Sequence, residues 1–205
     1  MLYSTALRAS LTAHLGKRVV FYPKWDHDWL GPWQARAGRK PVALLLHHTA
    51  GAATTSTNPA NKGNLKGANQ GQVDYIARHF SAPASNFVAD RDGTVYCLAA
   101  YPCWHSGVGA FTTVPFMQLH VPTNRGNIWM MGVEIVSKGL APDYTARQIA
   151  SLVDLARAIS EASGWGGTPT FRLPQHGKDW AKPLGRKIDI QYTHAQVQKW
   201  MNKAA

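Results

Sequence analysis

Runs of apolar residues predict the strands of this chain. Residues 42–47 within PVALLLHHTAGAA, apolar as far as the first of two adjacent histidines, predict a fully buried strand. A second run, IWMMGVEIV at 128–136, has the same character. The segment NFVADRDGTVYCL predicts two short strands around Asp92-Gly93, because this dipeptide is a strong hairpin signal. TPTFRL predicts a further short strand at 168–173.

Helical periodicity marks other segments of the chain. VDYIARHF carries apolar residues at helical spacing over 73–80. The clearest helix spans 145–163, where Thr145 and Gln148 form a capping box and Gly164 follows the end. The N-terminal segment has some helical character, and THAQVQKWM near the end of the sequence repeats the capping-box pattern. The order of elements predicts an α/β or α+β fold in which helices cover a central sheet.

Two irregular stretches interrupt this pattern. FYPKWDHDWLGPWQARAGRK, at 21–40, is rich in Trp, Pro and Gly and predicts a loop packed by aromatic side chains. GAATTSTNPANKGNLKGANQG, at 51–71, has no hydrophobic period and predicts a long exposed loop, which is typical of the rim of a site. We therefore divide the 205 residues into an N-terminal extension with an aromatic-rich loop, 1–40, and one catalytic-size domain, 41–205.

Composition and charge narrow the class of protein. No window approaches the roughly 18 apolar residues of a membrane span, and the N-terminal sequence lacks the features of a secretory signal, so we expect a soluble chain without an export signal.

Lys and Arg total 22 against 11 acidic residues, a formal charge of +11, which favours a polyanionic partner. Nucleic acid, anionic lipid and bacterial wall polymer all qualify. The basic residues are scattered and carry no signature of a DNA- or RNA-reading module, which disfavours nucleic acid.

The two cysteines, Cys97 and Cys103, lie close together in VYCLAAYPCW. Two thiols cannot form a cysteine-only zinc site, and a small disulfide-stabilised scaffold would contain more of them. A local disulfide therefore stays open as the alternative to a pair of partly buried thiols.

Three positions could supply ligands for a metal ion. Because successive strand residues point to opposite faces, only one of His47 and His48 can face a given site, and a histidine at a strand end is held rigidly enough to bind a metal. Later in the chain, RLPQHGKDWAKPLGRKIDI contains His176 and, at 187–189, a lysine and an aspartate on one side of an extended chain. Two imidazoles and one carboxylate, with a position left for water, form a catalytic zinc set. The alternatives are an ordinary buried histidine, a loop histidine and a surface ion pair.

Two further features are candidates for catalysis or binding. Glu134 lies in a strand that is otherwise apolar on both faces, and burial of an unpaired carboxylate costs several kcal/mol. It therefore either faces a polar site or forms a structural salt bridge. Trp104 and His105 place an aromatic surface beside a histidine, which could hold a sugar or a peptide or belong to an ordinary loop.

Four spaced segments together resemble a known family. LLLHHTAG, then NFVADRDGTVY with CWHSGVG, then MGVEIV, and finally His176 with GRKID occur in the order found in zinc-dependent N-acetylmuramoyl-L-alanine amidases. This group includes phage endolysin amidases, wall-recycling amidases and peptidoglycan recognition proteins. The resemblance extends from Pro41 to the C-terminal helix. It implies a single α/β domain with a central mixed sheet flanked by helices, and it makes 41–205 a zinc amidase catalytic domain.

The resemblance also implies a role for each site residue. One zinc ion would be bound by His47, His176 and Asp189. Lys187 would stabilise the transition state. The substrate-binding residues would be His105, Trp104 and Thr49, the last in the turn after the first ligand.

Glu134 is implied as the catalytic base. Some relatives use a tyrosine on the hairpin strand instead, and Ser85 stands at that position here. The chain also departs from the family where Ile190-Gln191 follows the third ligand in place of Pro-Gly. The first forty residues match nothing in the family.

The resemblance implies cleavage of the amide between N-acetylmuramic acid and L-alanine of the stem peptide. Charge and the missing signal favour a phage endolysin, made in the bacterial host cytoplasm and acting on the wall. We expect a monomer whose partner is peptidoglycan, without membrane insertion or nucleic-acid binding. The alternatives are a cytoplasmic recycling amidase that acts on soluble anhydro-muropeptides, and a recognition module that binds peptidoglycan without cleaving it.

Overall fold

The computed structural model describes residues 2–29, 40–41, 43–48, 70–78, 82–105, 126–136, 144–165 and 191–192. Six strands are described: β1 Val19–Phe21, β2 Ala43–His48, β3 Phe87–Ala89, β4 Val95–Cys97, β5 Met130–Ile135 and β6 Gln191–Tyr192. They form one sheet in the order β1-β4-β3-β5-β2-β6. Strand β5 is parallel to both β3 and β2, and β1 is parallel to β4, whereas the pairs β3-β4 and β2-β6 are antiparallel. The predicted central mixed sheet is confirmed.

Four helices accompany the sheet in the described part of the chain: α1 Tyr3–Leu15, α2 Gln70–Ala77, α3 Gly126–Trp129 and α4 Ala146–Ser163. The long helix α4 begins and ends as the sequence predicts. Thr145 accepts a hydrogen bond from the backbone of Gln148, whose side chain accepts one from the backbone of Thr145, and Gly164 ends the helix in the left-handed conformation with φ 68°. Helix α2 begins three residues before the predicted segment.

The predicted hairpin is also confirmed. Strands β3 and β4 pair with Phe87 opposite Cys97, and Gly93 adopts φ 91°, a value that favours glycine in a turn. The predicted buried strands correspond to β2 and β5. The predicted strand at 168–173, the helix at 193–201 and the loop up to residue 69 lie outside the described residues.

The main core lies between one face of the sheet and the helices α1 and α4. The sheet contributes every second residue of its central strands, including Leu46, Phe87 and Val133. Helix α1 contributes Leu7, Leu11 and Leu15, while α4 contributes Leu152, Leu155 and Ile159. Burial of these side chains, at about 1.5–3 kcal/mol each, supplies much of the driving force for folding.

The N-terminal segment, α1 with β1, belongs to this core. Strand β1 pairs in register with β4 and forms an edge of the sheet as described. The expectation of a loop beginning at Phe21 is therefore wrong by one residue, because a three-residue strand is too short to show a period in sequence. The turn that follows is packed by aromatics as predicted, with the rings of Phe21 and Trp25 4.9 Å apart and Arg8 stacked 4.3 Å over Phe21.

Two other expectations concern thiols and membranes. Cys97 and Cys103 are both completely buried and are not joined by a disulfide in the structure, which agrees with the thiol alternative. Burial raises the pKa of the Cys97 thiol well above its ordinary value of 9.0. Within the described ranges, none of the helices has the length and hydrophobicity that crossing a bilayer requires.

Candidate active site

Strands β2 and β5 place a histidine and a glutamate side by side. His47 is the register partner of Glu134, and Glu134 is in turn the register partner of Val88 in β3. Because paired residues of parallel strands point to the same side, His47 and Glu134 share one face of the sheet. Their backbones are separated by the spacing of neighbouring strands, about 4.8 Å. This face lies opposite the one that packs against α1 and α4.

The local sequence fixes both side chains rigidly. Leu44, Leu45 and Leu46 are all buried and hold β2 between its neighbours, so that His47 emerges from a fixed strand with only 8% of its surface exposed. Glu134 is the one partly exposed residue in the otherwise buried strand β5. Glu134 is therefore partly exposed near the carboxyl end of its strand, on the face that also carries His47.

A second imidazole lies against the same face. The ring of His105 is 6.2 Å from that of His47, and the two planes are inclined by 71°. It occupies the space above Gly132 in β5, where an added Cβ atom would stand 2.6 Å from the Cγ atom of His105. Only a glycine at this position admits the ring.

Hydrogen bonds set the orientation of His105. Its backbone N–H donates to the Oδ1 atom of Asn127 over 2.9 Å, and its Nε2 atom lies 3.1 Å from the carbonyl oxygen of Met130. A carbonyl oxygen can only accept, so Nε2 carries the proton. In the neutral ring Nδ1 is then the unprotonated nitrogen. His105 is 7% exposed, so the ring is a rigid part of the face.

Asn86 joins the segment that carries His105 to β5. Its Nδ2 atom donates to the carbonyl oxygens of Ala99 and Tyr101, each over 2.9 Å, and its Oδ1 atom accepts from the backbone N–H of Gly132 over 2.8 Å. The side chain is completely buried. Three of its four hydrogen-bonding positions are satisfied by backbone, which fixes the distance between the two chain segments.

Trp104 lies at the edge of this arrangement. Its backbone N–H donates to the carbonyl oxygen of Pro83 over 3.1 Å, while 42% of the residue is exposed to solvent. An exposed tryptophan beside a buried histidine presents a flat apolar surface next to the site.

The structure brings together those predicted site residues that it describes. His47, Glu134 and His105 share one face, and Trp104 adjoins them. Thr49, His176, Lys187 and Asp189 lie outside the described residues. Among the residues that the structure describes, no three His, Cys, Asp or Glu side chains lie close enough together to hold a metal ion. Ser85, at the position where some relatives use a tyrosine, is completely buried.

The supporting residues Gly132, Asn86 and Asn127 were not identified from the sequence. An isolated glycine within a strand is a recognised signal of close approach by another group, and Gly132 within MMGVEIV carried that signal. The two asparagines have no comparable signal, because their partners are backbone atoms far away in sequence.

Comparisons with known proteins identify the family. The family model for N-acetylmuramoyl-L-alanine amidase matches residues 37–192, more than half of the chain. Similar solved structures include the endolysin amidase LysCS from Clostridium intestinale URNW, at 18% identity and a TM-score of 0.38, with 71% of this chain and 75% of that chain covered. They also include PGRP-Hd from Alvinella pompejana, at 14% identity and a TM-score of 0.42, with 71% of this chain and 79% of that chain covered.

A selenomethionine derivative of AmpD is similar at 16% identity and a TM-score of 0.42, with 70% of this chain and 73% of that chain covered. A comparison with curated proteins found no match. Structural likeness at these scores is weak, so the assignment rests on the family model and on its extent. The chain belongs to the N-acetylmuramoyl-L-alanine amidase family.

Proposed function

We propose that this chain is a zinc-dependent hydrolase that cleaves the amide between N-acetylmuramic acid and L-alanine in peptidoglycan, acting as a phage endolysin. The observation that carries the proposal is the pairing of His47 with Glu134 on neighbouring parallel strands. This pairing puts a potential metal ligand and a potential base on one face, a strand spacing apart.

The proposed ligands of the zinc ion are His47, His176 and Asp189. Two imidazoles and one carboxylate suit zinc as a donor set, and they leave a fourth position open. His47 fits this role because it is buried and emerges from a strand held on both sides. A zinc ion held by these residues would supply an activated water near neutral pH and would polarise a carbonyl group.

Glu134 is proposed as the general base and then the general acid. Its carboxylate would accept a proton from the attacking water and donate it to the amine that leaves as the amide bond breaks. The register pairing of Glu134 with His47, the proposed ligand, supports this role. Lys187 would offset the negative charge that grows on the carbonyl oxygen, an effect worth about 3–4 kcal/mol for comparable donors.

The groove around this centre is proposed to bind the glycan and peptide of the substrate. Trp104 offers an exposed ring on which a sugar face can stack, and Thr49 would contact the substrate from the turn after β2. His105 would form the floor of the groove, where its neighbour Gly132 leaves no side chain in the way.

The proposed biological setting is lysis of a bacterial host. A formal charge of +11 favours adsorption to an anionic wall, and an electrostatic attraction of this kind increases the rate of encounter. We therefore propose peptidoglycan as the macromolecular partner of a monomeric enzyme.

The test is a digest of purified sacculi by the full chain, read by the appearance of new N-terminal alanine. We expect release by the zinc-loaded protein, loss of release after chelation, and recovery when zinc is returned. Glu134→Gln should reduce turnover by about 10²–10⁴-fold while the zinc content of the protein stays at one ion. A variant with unchanged turnover would contradict the role of Glu134.

The same assay separates the alternatives. Faster turnover of soluble anhydro-muropeptides than of sacculi would indicate a recycling amidase in place of an endolysin. Binding of muropeptide by a protein that takes up no zinc would indicate a recognition module.

A further inference from the structure

Gln72 in α2 is a buried amide that the proposed chemistry does not use. The residue is 8% exposed, and it shares the buried face of the helix with Val73 and Ile76. Neither its Nε2 nor its Oε1 atom has a hydrogen-bond partner within the described ranges of the chain. An amide buried without partners destabilises a fold, and one that is present calls for an explanation, of which a bound ligand is one.

The contacts of α2 show which way Gln72 points. Val73 faces the sheet, where it packs in a cluster with Val88 and Val136. Val88 is the register partner of Glu134, and Val136 follows Glu134 by two residues in the sequence. Asp74 projects towards the side of β1 and β4, because it accepts a hydrogen bond from the hydroxyl of Tyr22, a residue whose backbone N–H donates to the carbonyl of Cys97.

The charge of Asp74 also acts on β4. Burial is the main reason that the pKa of Tyr96 is raised, and the carboxylates of Asp90, Asp92 and Asp74 raise it further. Residues two apart in a helix point about 200° apart around its axis. Gln72 therefore leaves α2 on the flank opposite Asp74, the flank that faces β5 and β2.

We propose that Gln72 is a substrate-binding residue whose side-chain amide pairs with a secondary amide of the substrate beside the proposed reaction centre. The inference rests on the proposed function and extends it. A side-chain amide presents an acceptor and two donors in one plane, which matches the C=O and N–H of a secondary amide. Besides the scissile amide, which would lie at the reaction centre itself, peptidoglycan offers this group in two places, the peptide bonds of the stem and the N-acetyl group of the sugar.

The test compares two substitutions that remove a buried polar group. Gln72→Met keeps the length of the side chain and removes its hydrogen-bonding atoms, and Ser85→Ala removes a hydroxyl that also lacks a partner among the described residues. Ser85 is completely buried, so it serves as the matched control. We expect both variants to raise Tm by about 2–4 °C, because each removes an unsatisfied group.

Activity should separate the two variants. Gln72→Met should lower kcat/KM by about tenfold, mainly through KM, whereas Ser85→Ala should leave it unchanged. An unchanged kcat/KM for Gln72→Met would overturn the proposal. A fall in its Tm would also overturn it, because the amide would then have a partner within the fold.

Two truncated substrates locate the contact. If the amide of Gln72 binds the stem, Gln72→Met should no longer lower kcat/KM on N-acetylmuramoyl-L-alanine. If it binds the acetamido group, Gln72→Met should no longer lower kcat/KM on a de-N-acetylated muramoyl pentapeptide. A reduction in kcat/KM that persists on both substrates would overturn the proposal. If the wild-type chain cleaves nothing, the proposed hydrolysis fails, and calorimetry with the muramoyl pentapeptide then tests Gln72 independently. A dissociation constant raised by Gln72→Met would support the contact, and an equal one would overturn it.

Discussion

The imidazole of His105 rests directly on the backbone of Gly132. An added Cβ atom would meet the Cγ atom of the ring at 2.6 Å, below the 3.0 Å that real contacts of this kind respect. We therefore predict that Gly132→Ala destabilises the fold by about 1–3 kcal/mol, because either the ring or the strand must move.

A second substitution shows whether the ring is the cause. Gly132→Ala should lower the free energy of unfolding much less in a His105→Ala background than in the wild type. Urea unfolding of the two single variants and the double variant should give a coupling energy of about 1 kcal/mol or more. Strict additivity of the two changes would contradict the steric explanation.

The side chain of Gln148 connects α4 to the ends of the two strands beside the candidate site. Its Nε2 atom donates to the carbonyl oxygens of Ala89 and Val136, over 3.1 and 2.8 Å, while its oxygen accepts from the backbone of Thr145. Gln148→Glu keeps the acceptor but cannot donate to two carbonyls. We predict a loss of about 2–5 kcal/mol, since the carboxylate is buried against two acceptors.

Thr145→Ala provides the comparison for this prediction. It removes the threonine part of the capping box and should cost only about 1–2 kcal/mol in the same denaturation experiment. An equal loss in the two variants would mean that the cap, and not the contact with the strands, is what Gln148 contributes.

A carboxylate on α4 is bound by α1. Ser10 donates to Glu161 over 2.9 Å, and the Nε2 atom of His14 lies 2.8 Å from the same oxygen. The hydrogen bonds from His14 and then Ser10 lower the pKa of Glu161 from its ordinary value of 4.5. A pKa that is lower in the folded than in the unfolded state stabilises the fold above the unfolded value, and this contribution is lost as the pH falls through the folded value.

Glu161→Gln should therefore lower the urea midpoint slightly at pH 7, and the difference from wild type should shrink in acid, below the folded-state pKa. The effect is small because the side chain is 64% exposed and screened by solvent. Urea titrations of both proteins at pH 7 and at the acid pH measure this difference in midpoint. A midpoint difference that is the same at the two pH values would contradict the role of the Glu161 charge.

The N-terminal helix is part of the core although it precedes the family match, which begins at residue 37. Leu11 in α1 is completely buried between the sheet and α4. We predict that Leu11→Ala lowers the free energy of unfolding in urea by about 2–5 kcal/mol, because it deletes buried methyl groups and leaves a cavity in the core. Leu2→Ala, at a residue that is 70% exposed, should change stability by less than about 0.5 kcal/mol. A similarly small loss of stability in both variants would mean that α1 contributes little to the core.

The sequence by itself determined the elements whose signals are local. The apolar run of β2, the Asp92-Gly93 turn and the cap of α4 at Thr145 each depend on neighbouring residues, and each was predicted close to its observed bounds. The sequence also singled out Glu134, because an ionisable residue in an apolar strand conflicts with its surroundings.

The tertiary structure decided which residues meet. Strand order and register are set by pairing between segments far apart in sequence, and no period within one segment encodes them. The short edge strand β1, the alignment of His47 with Glu134 and the fit of His105 over Gly132 all arise in this way. A local pattern reports which face of an element is buried, whereas only close packing of the folded chain fixes what that face is buried against.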